Sequence, residues 1–298
     1  MKSLPMQKNA NDTFLTDRQQ SAQTPANRRP LVADVVFLAA LLGAGTLIWL
    51  RDTAWLTASE ETVPILAALP LFLWLGAPWR FKADPFRIQG AAVCIAAVVL
   101  TLGLAFDLTF GLAAAWILVL WSWTSTRLEP GRFDLRRLMI LPLMSFPWLT
   151  LDLVPLGWWF RLSAAWVVEH LFGMIGYTVA RHGTMLLVQG VPVDVAPACS
   201  GMNSLQAMLL AGVVLAWIEL RSSRWYWVSI LVLPLLAWAA NVARVAVLTG
   251  AGLGMGVAFA SGSFHETGGW LAVILIFLGW WLVIRSGGPL RKPEVTRA

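Results

Sequence analysis

Eight apolar runs constrain the fold of this chain more than any other feature of its sequence. Each run is roughly 20 residues long, the length that an α-helix needs to cross about 30 Å of hydrocarbon. The runs lie at 34–50, 63–79, 88–106, 109–125, 138–157, 203–221, 226–248 and 270–285. Because backbone polar groups inside a bilayer must be paired within their own segment, such runs predict helices. The sequence therefore predicts an all-α fold, a polytopic transmembrane helical bundle of about eight spans.

The composition agrees with a membrane protein and excludes several other classes. Hydrophobic residues make up 58% of the chain and charged residues only 13%, which is unlike soluble or disordered proteins. The net charge of +6 does not indicate nucleic-acid binding, because most basic residues lie in short connections between the apolar runs. Two cysteines cannot build a disulfide framework, so no oxidised scaffold is expected.

The basic residues are concentrated in every second connection, which predicts the orientation of the bundle. They follow the second, fourth, sixth and eighth runs and include Arg80, Lys82, Arg87, Arg127, Arg132, Arg136, Arg137, Arg221, Arg224, Arg285, Arg291 and Lys292. Connections rich in Lys and Arg stay in the cytoplasm, so both termini are predicted to be cytoplasmic. The predicted domains are a disordered cytoplasmic tail at 1–33, a transmembrane domain at 34–285 and a second cytoplasmic tail at 286–298.

The chain between the fifth and sixth runs is not predicted to form a lipid-facing span. Residues 161–181 carry Glu169 and His170 in their middle, which favours an interfacial helix on the outer surface. Residues 183–198 contain Gly190 and two prolines and predict a short hairpin or an irregular loop. No soluble domain stands apart from the runs, so any chemistry belongs to the membrane bundle.

Cys199 is the candidate nucleophile. It immediately precedes the sixth run, where the positive end of a helix dipole favours thiolate over thiol and Ser200 is placed to cap the helix. A small buried hydrophobe is an equally good interpretation of a free cysteine. Cys94, in the middle of the third run, is interpreted as such a buried residue and serves as an internal control.

Arg244 and His265 are the candidate partners of the thiol. Arg244 is predicted near the outer end of the seventh span, with Asn241 three residues earlier on the same helical face; snorkelling to the headgroups is the alternative. His265 is predicted in a Gly-rich outer loop, where it can carry a proton or simply be hydrated. Glu266 either orients the imidazole or is itself hydrated.

The predicted topology brings the start of the sixth span, the end of the seventh and the start of the eighth to one membrane face. Cys199 is then predicted to attack a peptide carbonyl, Arg244 to stabilise the anions, and His265 to protonate the departing amine. Asn203 and Gln206, near the start of the sixth span, are predicted to line the substrate groove. This chemistry calls for no metal and no cofactor. An amine or hydroxyl acceptor gives transpeptidation, and water gives proteolysis.

Other classes of protein are also compatible with parts of the sequence. A transporter or flippase would line its path with Arg244, Asn241 and Asp152, although no inverted repeat is visible. An intramembrane serine protease would use Ser200 or Ser204, but neither lies in a Gly-x-Ser-x-Gly motif. A metalloprotease needs His-Glu-x-x-His, which the sequence after His265 lacks, and a thiol oxidoreductase needs a second nearby cysteine.

Three segments resemble the signature blocks of the exosortase/archaeosortase family. They are 195–201 (VAPACSG), 241–245 (NVARV), and His265 with Gly268 downstream. The segment 189–193 and the pair Phe146-Pro147 resemble family features more weakly, so the resemblance covers roughly 140–285.

The resemblance implies a multi-pass membrane cysteine transpeptidase with an outward-facing site. The family's catalytic Cys, Arg and His correspond to Cys199, Arg244 and His265, and a His at the third position fits the bacterial branch. The implied partners are exported proteins that carry a C-terminal sorting signal, membrane lipid, and an acceptor nucleophile whose identity the resemblance does not give. Such a signal consists of a short motif, commonly of the Pro-Glu-Pro type, a transmembrane helix and a basic tail.

Overall fold

A computed structural model describes eight stretches of the chain. They are residues 32–57, 59–82, 87–129, 134–195, 202–220, 223–256, 259 and 262–286, with the backbone alone described at 57, 59–61, 203, 204, 263, 265, 266 and 269. The tails predicted at 1–33 and 286–298 lie almost entirely outside the described residues.

The described residues form helices and one small sheet. The helices are α1 (Val32–Arg51), α2 (Ala54–Thr57), α3 (Ser59–Leu75), α4 (Gly90–Ala105), α5 (Thr109–Arg127), α6 (Leu135–Leu138), α7 (Ile140–Met144), α8 (Trp148–Asp152), α9 (Val154–Met174), α10 (Met202–Leu220), α11 (Trp225–Met255) and α12 (Ser263–Ser286). The strands are β1 (Val179–His182), β2 (Met185–Val188) and β3 (Val191–Asp194). Helices α1 and α11 are long and apolar enough to cross a membrane, and shorter apolar stretches lie in α3, α4, α10 and α12. The prediction of a helical membrane protein is confirmed, whereas the count of eight spans stays a prediction.

Helix α1 defines the two ends of the bundle. At its start, the proximal end, Asp34 accepts hydrogen bonds from Trp123 Nε1 and from the Arg127 guanidinium of α5. At its other end, the distal end, Arg51 pairs with Asp107, which lies just before α5. Arg137 lies on α6, which follows the Arg127 end of α5 after seven residues and contacts α5, so it belongs to the proximal end. Its backbone oxygen accepts a hydrogen bond from Tyr226 Oη, so α11 also starts at this end.

The fifth predicted span, 138–157, is wrong as a single helix. Two short helices, α7 and α8, lie within it, α6 ends at its first residue, and α9 begins at Val154. Pro142 lies near the start of α7, Pro147 immediately precedes α8, and Pro155 lies in the first turn of α9. A proline has no N–H and its ring clashes with the preceding turn, so each one marks a new start and not a continuation.

Asp152 fixes the end of this broken segment. Its two carboxylate oxygens accept hydrogen bonds from the backbone N–H groups of Thr109 and Phe110, at 3.0 and 2.6 Å. A carboxylate at the start of α5 satisfies orphan amides and complements the helix dipole. The segment that begins near Arg137 at the proximal end therefore ends at the distal end.

The region after the broken segment differs in detail from its prediction. The helix predicted at 161–181 is α9, which begins and ends seven residues earlier, and the hairpin predicted at 183–198 is a three-stranded antiparallel sheet in the order β1-β2-β3. Two-residue turns join the strands, and Gln189 and Gly190 both have positive φ, as a tight hairpin turn of this kind requires. One face of β2 is fully buried while the other is exposed.

Two apolar cores lie along the same long helix. The bundle core includes Ala237 and Ala240 of α11, whereas a separate distal core joins α9, the sheet and the part of α11 around Val245 and Leu248. At about 1.5 Å per residue, the 31 residues of α11 extend over roughly 46 Å. This exceeds the roughly 30 Å of hydrocarbon, so α11 extends beyond the bundle and supports the distal core.

Candidate active site

The predicted nucleophile lies between two well-packed flanks. Cys199 and Ser200 fall in 196–201, outside the described residues. Before them, Val195 is 2% exposed, belongs to the distal core, and donates its backbone N–H to Thr184 O. After them, Met202 begins α10 and packs against the bundle core. The chain thus enters this segment from one core and leaves it into the other.

Arg244 lies on α11 at the junction of the two cores. Ala240 on one side belongs to the bundle core and Val245 on the other to the distal core. The side chain is half-buried and its Nε has no exposed surface, which counts against a residue that merely snorkels to headgroups. Helix α11 continues for eleven residues beyond Arg244, to Met255, so Arg244 is not at the end of the helix; its position near the outer end of the seventh span stays a prediction.

Asn241 lies one turn before Arg244 and is almost completely buried. Its exposed fraction is 1%, and neither its Oδ1 nor its Nδ2 has a hydrogen-bond partner among the described residues. Residues three apart share a helical face, so Asn241 and Arg244 lie on the same side of α11. The predicted pairing of these two positions on one face is consistent with the helix that the structure shows.

The third candidate block lies in a helix and not in the predicted loop. Helix α12 begins at Ser263, so His265 and Glu266 occupy its first turn, where only their backbone is described. The neighbouring Phe264 packs against the distal core, and a Cβ at Gly268 would lie 3.2 Å from the Phe264 ring. Close packing of Phe264 over this glycine continues the helix through the Gly-rich sequence and attaches its first turn to the distal core.

Gln206 on α10 is a second deeply buried amide. It is 3% exposed, and its Nε2 has no hydrogen-bond partner among the described residues. Gly212 of α10 packs against Leu233 of the antiparallel α11. Gln206 lies six residues before this contact and Asn241 eight residues after it, so the two amides differ in depth by about two residues, or roughly 3 Å. The side chain of Asn203, the other predicted groove residue, lies outside the described set.

Sequence reasoning missed two polar residues at the distal end. Arg161 lies on the buried face of α9, between Gly157 and Ala164, and its Nε is buried without a hydrogen-bond partner among the described residues. Its guanidinium lies 5.2 Å from the centre of the Trp158 ring. Thr150 Oγ1 on α8 is buried in the same way. The spacing of small apolar residues three or four positions from Arg161 was the available signal.

Two other predicted positions have structural explanations. Asp152, which the transporter hypothesis placed along a permeation path, is instead bound to the start of α5. Cys94 is exposed, so its prediction as a buried residue is wrong. Helix α4 buries a different face, through Ala92, Ala96 and Gly103, which leaves Cys94 on the surface available to lipid.

In the part of the chain that the structure describes, no group of three or more His, Cys, Asp or Glu side chains is arranged to hold a metal ion.

The fold and its buried polar residues define a class of protein. It is a helical membrane bundle in which several helices bury polar side chains, beside a second, smaller apolar core. The transmembrane exosortase family model matches residues 36–282, most of the chain, and the chain belongs to that family. Exosortases are membrane transpeptidases whose substrates are exported proteins with C-terminal signals. Comparisons with curated proteins and with solved structures found no significant match.

Proposed function

We propose that this protein is a cysteine transpeptidase of the bacterial inner membrane that cleaves the C-terminal sorting signals of exported proteins through a thioester. The observation that carries the proposal is a shared attachment point of the three candidate blocks. Val195, Val245 and Phe264 all belong to, or pack against, the distal core. They precede Cys199 by four residues, follow Arg244 by one and precede His265 by one.

Covalent connectivity strengthens this argument. Four residues span at most about 14 Å when fully extended. Cys199 is therefore limited to that distance from Val195, and through the distal core to the neighbourhood of α11. Three segments that are far apart in the sequence are thus confined to one region, which is what a shared active site requires.

The proposed reaction has two steps. The Cys199 thiolate attacks the scissile carbonyl carbon, the peptide C–N bond breaks, and the departing amine takes a proton from His265. The Arg244 guanidinium stabilises the thiolate and then the oxyanion. An amine or hydroxyl next attacks the thioester carbonyl, its proton passes to His265, and the thiolate is released. With water in that role, the outcome is hydrolysis.

Family membership and the hydrogen bonds of Asp152 favour this proposal over a transporter or flippase. Family membership supports a transpeptidase, and Asp152, which a permeation path would need, is already bound to two backbone amides of α5. A carboxylate held in this way pairs orphan amides at a helix start, so its position has a structural explanation that needs no permeation path.

Cleavage of a tailed substrate tests the nucleophile. The protein is co-expressed with an exported reporter that carries a candidate C-terminal signal, and the size of the reporter is followed on immunoblots. Cys199→Ala and Cys199→Ser are expected to abolish the size shift, while Cys94→Ala, on the surface of α4, leaves it intact. Normal processing by the Cys199 variants would refute the assignment.

The charge distribution supports an orientation with the site facing outwards. Exposed Arg80 lies beside the Arg127 end of α5, at the proximal end, which the positive-inside rule assigns to the cytoplasm. In a Cys94→Ala, Cys199→Ala background, a membrane-impermeant maleimide should label His182→Cys in whole cells but not Arg80→Cys. The opposite pattern would invert the proposed topology.

A further inference from the structure

Two amide side chains are buried without the partners that such groups require. Gln206 and Asn241 are both more than nine-tenths buried, and Gln206 Nε2, Asn241 Nδ2 and Asn241 Oδ1 have no hydrogen-bond partner among the described residues. Leaving a buried polar group unpaired costs about 1–3 kcal/mol. Native proteins retain few such groups, and each one calls for an explanation.

Other buried polar side chains nearby do find partners. Trp238 Nε1 of α11 donates to Ser163 Oγ of α9 at 2.9 Å, and Thr249 Oγ1 donates to the carbonyl of Val245 at 2.8 Å. The first bond joins α9 to α11 and the second lies within α11, so polar side chains on these helices can be paired inside the protein. The two amides are exceptions to this pairing.

Their position links them to the proposed chemistry. Gln206 lies four residues into α10, the helix that directly follows Cys199, and Asn241 lies one turn before Arg244. The register of α10 against α11 places the two amides at nearly the same depth. Thr150 Oγ1 and Arg161 Nε, which are also buried without described partners, lie on α8 and α9, and these helices contact α10 and α11. Helices α8 to α11, which pack together, thus each bury an unpaired polar atom.

We propose that Gln206 and Asn241 bind the main chain of the substrate next to the scissile bond. A carboxamide has an NH2 group that donates and an oxygen that accepts, and a peptide unit has one N–H and one C=O. Each side chain can therefore donate to the C=O of a peptide unit and accept from an N–H. The difference in depth of roughly 3 Å is close to the rise of an extended peptide, about 3.3 Å per residue. Both amides can therefore reach the same short stretch of an extended main chain.

This binding mode fits a substrate that enters from the bilayer. An extended segment at the membrane surface loses water from its backbone, which is costly unless new hydrogen bonds form. Amides supply those bonds without adding a charge, so they bind the main chain of substrates with different side chains. The inference rests on the proposed function and assigns the binding surface of that same site.

Leucine substitutions separate a binding role from a structural one. Gln206→Leu and Asn241→Leu keep the approximate size of each side chain and remove its unpaired polar atoms. The thermal unfolding midpoint of each variant in detergent is therefore expected to stay the same or rise. The kcat/KM for a tailed peptide in nanodiscs is expected to fall about tenfold or more per substitution, the effect of losing one substrate hydrogen bond of about 1.4 kcal/mol. Ser229→Ala, which removes a paired hydroxyl near the proximal end of α11, is the matched control and should process normally.

A second measurement avoids the chemical step. In a Cys199→Ala background, uncleaved substrate should co-purify with the enzyme, and each leucine substitution should reduce the amount recovered.

Two results would overturn the inference. One is wild-type kcat/KM and substrate recovery in both leucine variants. The other is a lower unfolding midpoint that accompanies the loss of activity, because the amides would then be bonded within the protein. Either result alongside an inactive Cys199→Ala variant leaves the transpeptidase proposal standing, whereas cleavage by Cys199→Ala would overturn that proposal instead.

Discussion

The contact between Gly212 and Leu233 controls the spacing of the two helices that bear on the candidate site. A Cβ added at Gly212 would lie 2.4 and 2.5 Å from the two methyl groups of Leu233, about 1 Å inside ordinary contact distance. Leu233 is fully buried in the bundle core, so its side chain has no free space to enter. Gly212→Ala should therefore push α10 away from α11.

The expected effect is larger on activity than on stability. Overpacking of this kind typically costs about 1–3 kcal/mol of unfolding free energy. A displacement of about 1 Å between reacting groups can lower a rate roughly 100-fold. Cys199 precedes α10 and Arg244 lies on α11. The spacing of these two helices therefore affects the distance between the proposed nucleophile and the proposed anion-stabilising group.

A compensating substitution makes this prediction specific. Leu233→Ala alone should cost about 2–5 kcal/mol through the cavity it leaves, but combined with Gly212→Ala it provides room for the added methyl. The destabilisation of the double variant should therefore be less than the sum of the two single effects, and processing should partly recover. Gly250→Ala is the control, because its nearest atom, Phe172 Cζ, lies 4.0 Å away.

The assays are thermal unfolding in detergent and the size shift of a co-expressed tailed reporter. Wild-type processing and stability in Gly212→Ala would show that the helices tolerate the methyl group. Strictly additive effects in the double variant would show that Leu233 is not the obstacle. Either result would refute the packing argument.

Three further substitutions test separate parts of the structure. Arg244→Lys should abolish processing without lowering the unfolding midpoint, because an ammonium cannot reproduce the planar donor fork; wild-type processing would assign Arg244 a structural role. Asp152→Ala removes the carboxylate that caps α5 and should lower the unfolding free energy by about 0.5–2 kcal/mol, measured in detergent, and an unchanged midpoint would contradict the capping role. Gly111→Ala would place a Cβ 2.7 Å from the Cα of Gly103 and should destabilise the α4–α5 pair, whereas Gly43→Ala, in open space, should be neutral on the same measurement.

Much of the helical architecture follows from hydropathy alone. The helices observed for the first, third, fourth and sixth runs begin and end within two residues of their predicted bounds. Long uninterrupted apolar runs determine these elements, because the backbone can satisfy its polar groups only within a helix. The fifth run failed because an average over apolar residues does not register Pro142 and Pro147, which interrupt the helix without making it more polar.

The candidate site was less accessible to sequence reasoning. The glycines around His265 indicated a loop, but the packing of Phe264 over Gly268 continues α12 through them. Cys94 was predicted to be buried because a run that is apolar all round does not reveal which face meets another helix. Arg161 carries no motif, and its role depends on a neighbouring helix that the local sequence does not specify.

The length of α11 has a consequence for protein engineering within this family. The single helix α11 contributes to both cores, so the distal core is not a module that can be exchanged by itself. Chimeras that exchange only 154–195 between relatives would leave a foreign surface against the retained end of α11. Exchanges that preserve folding should instead transfer this region together with the whole of α11 and the first turn of α12.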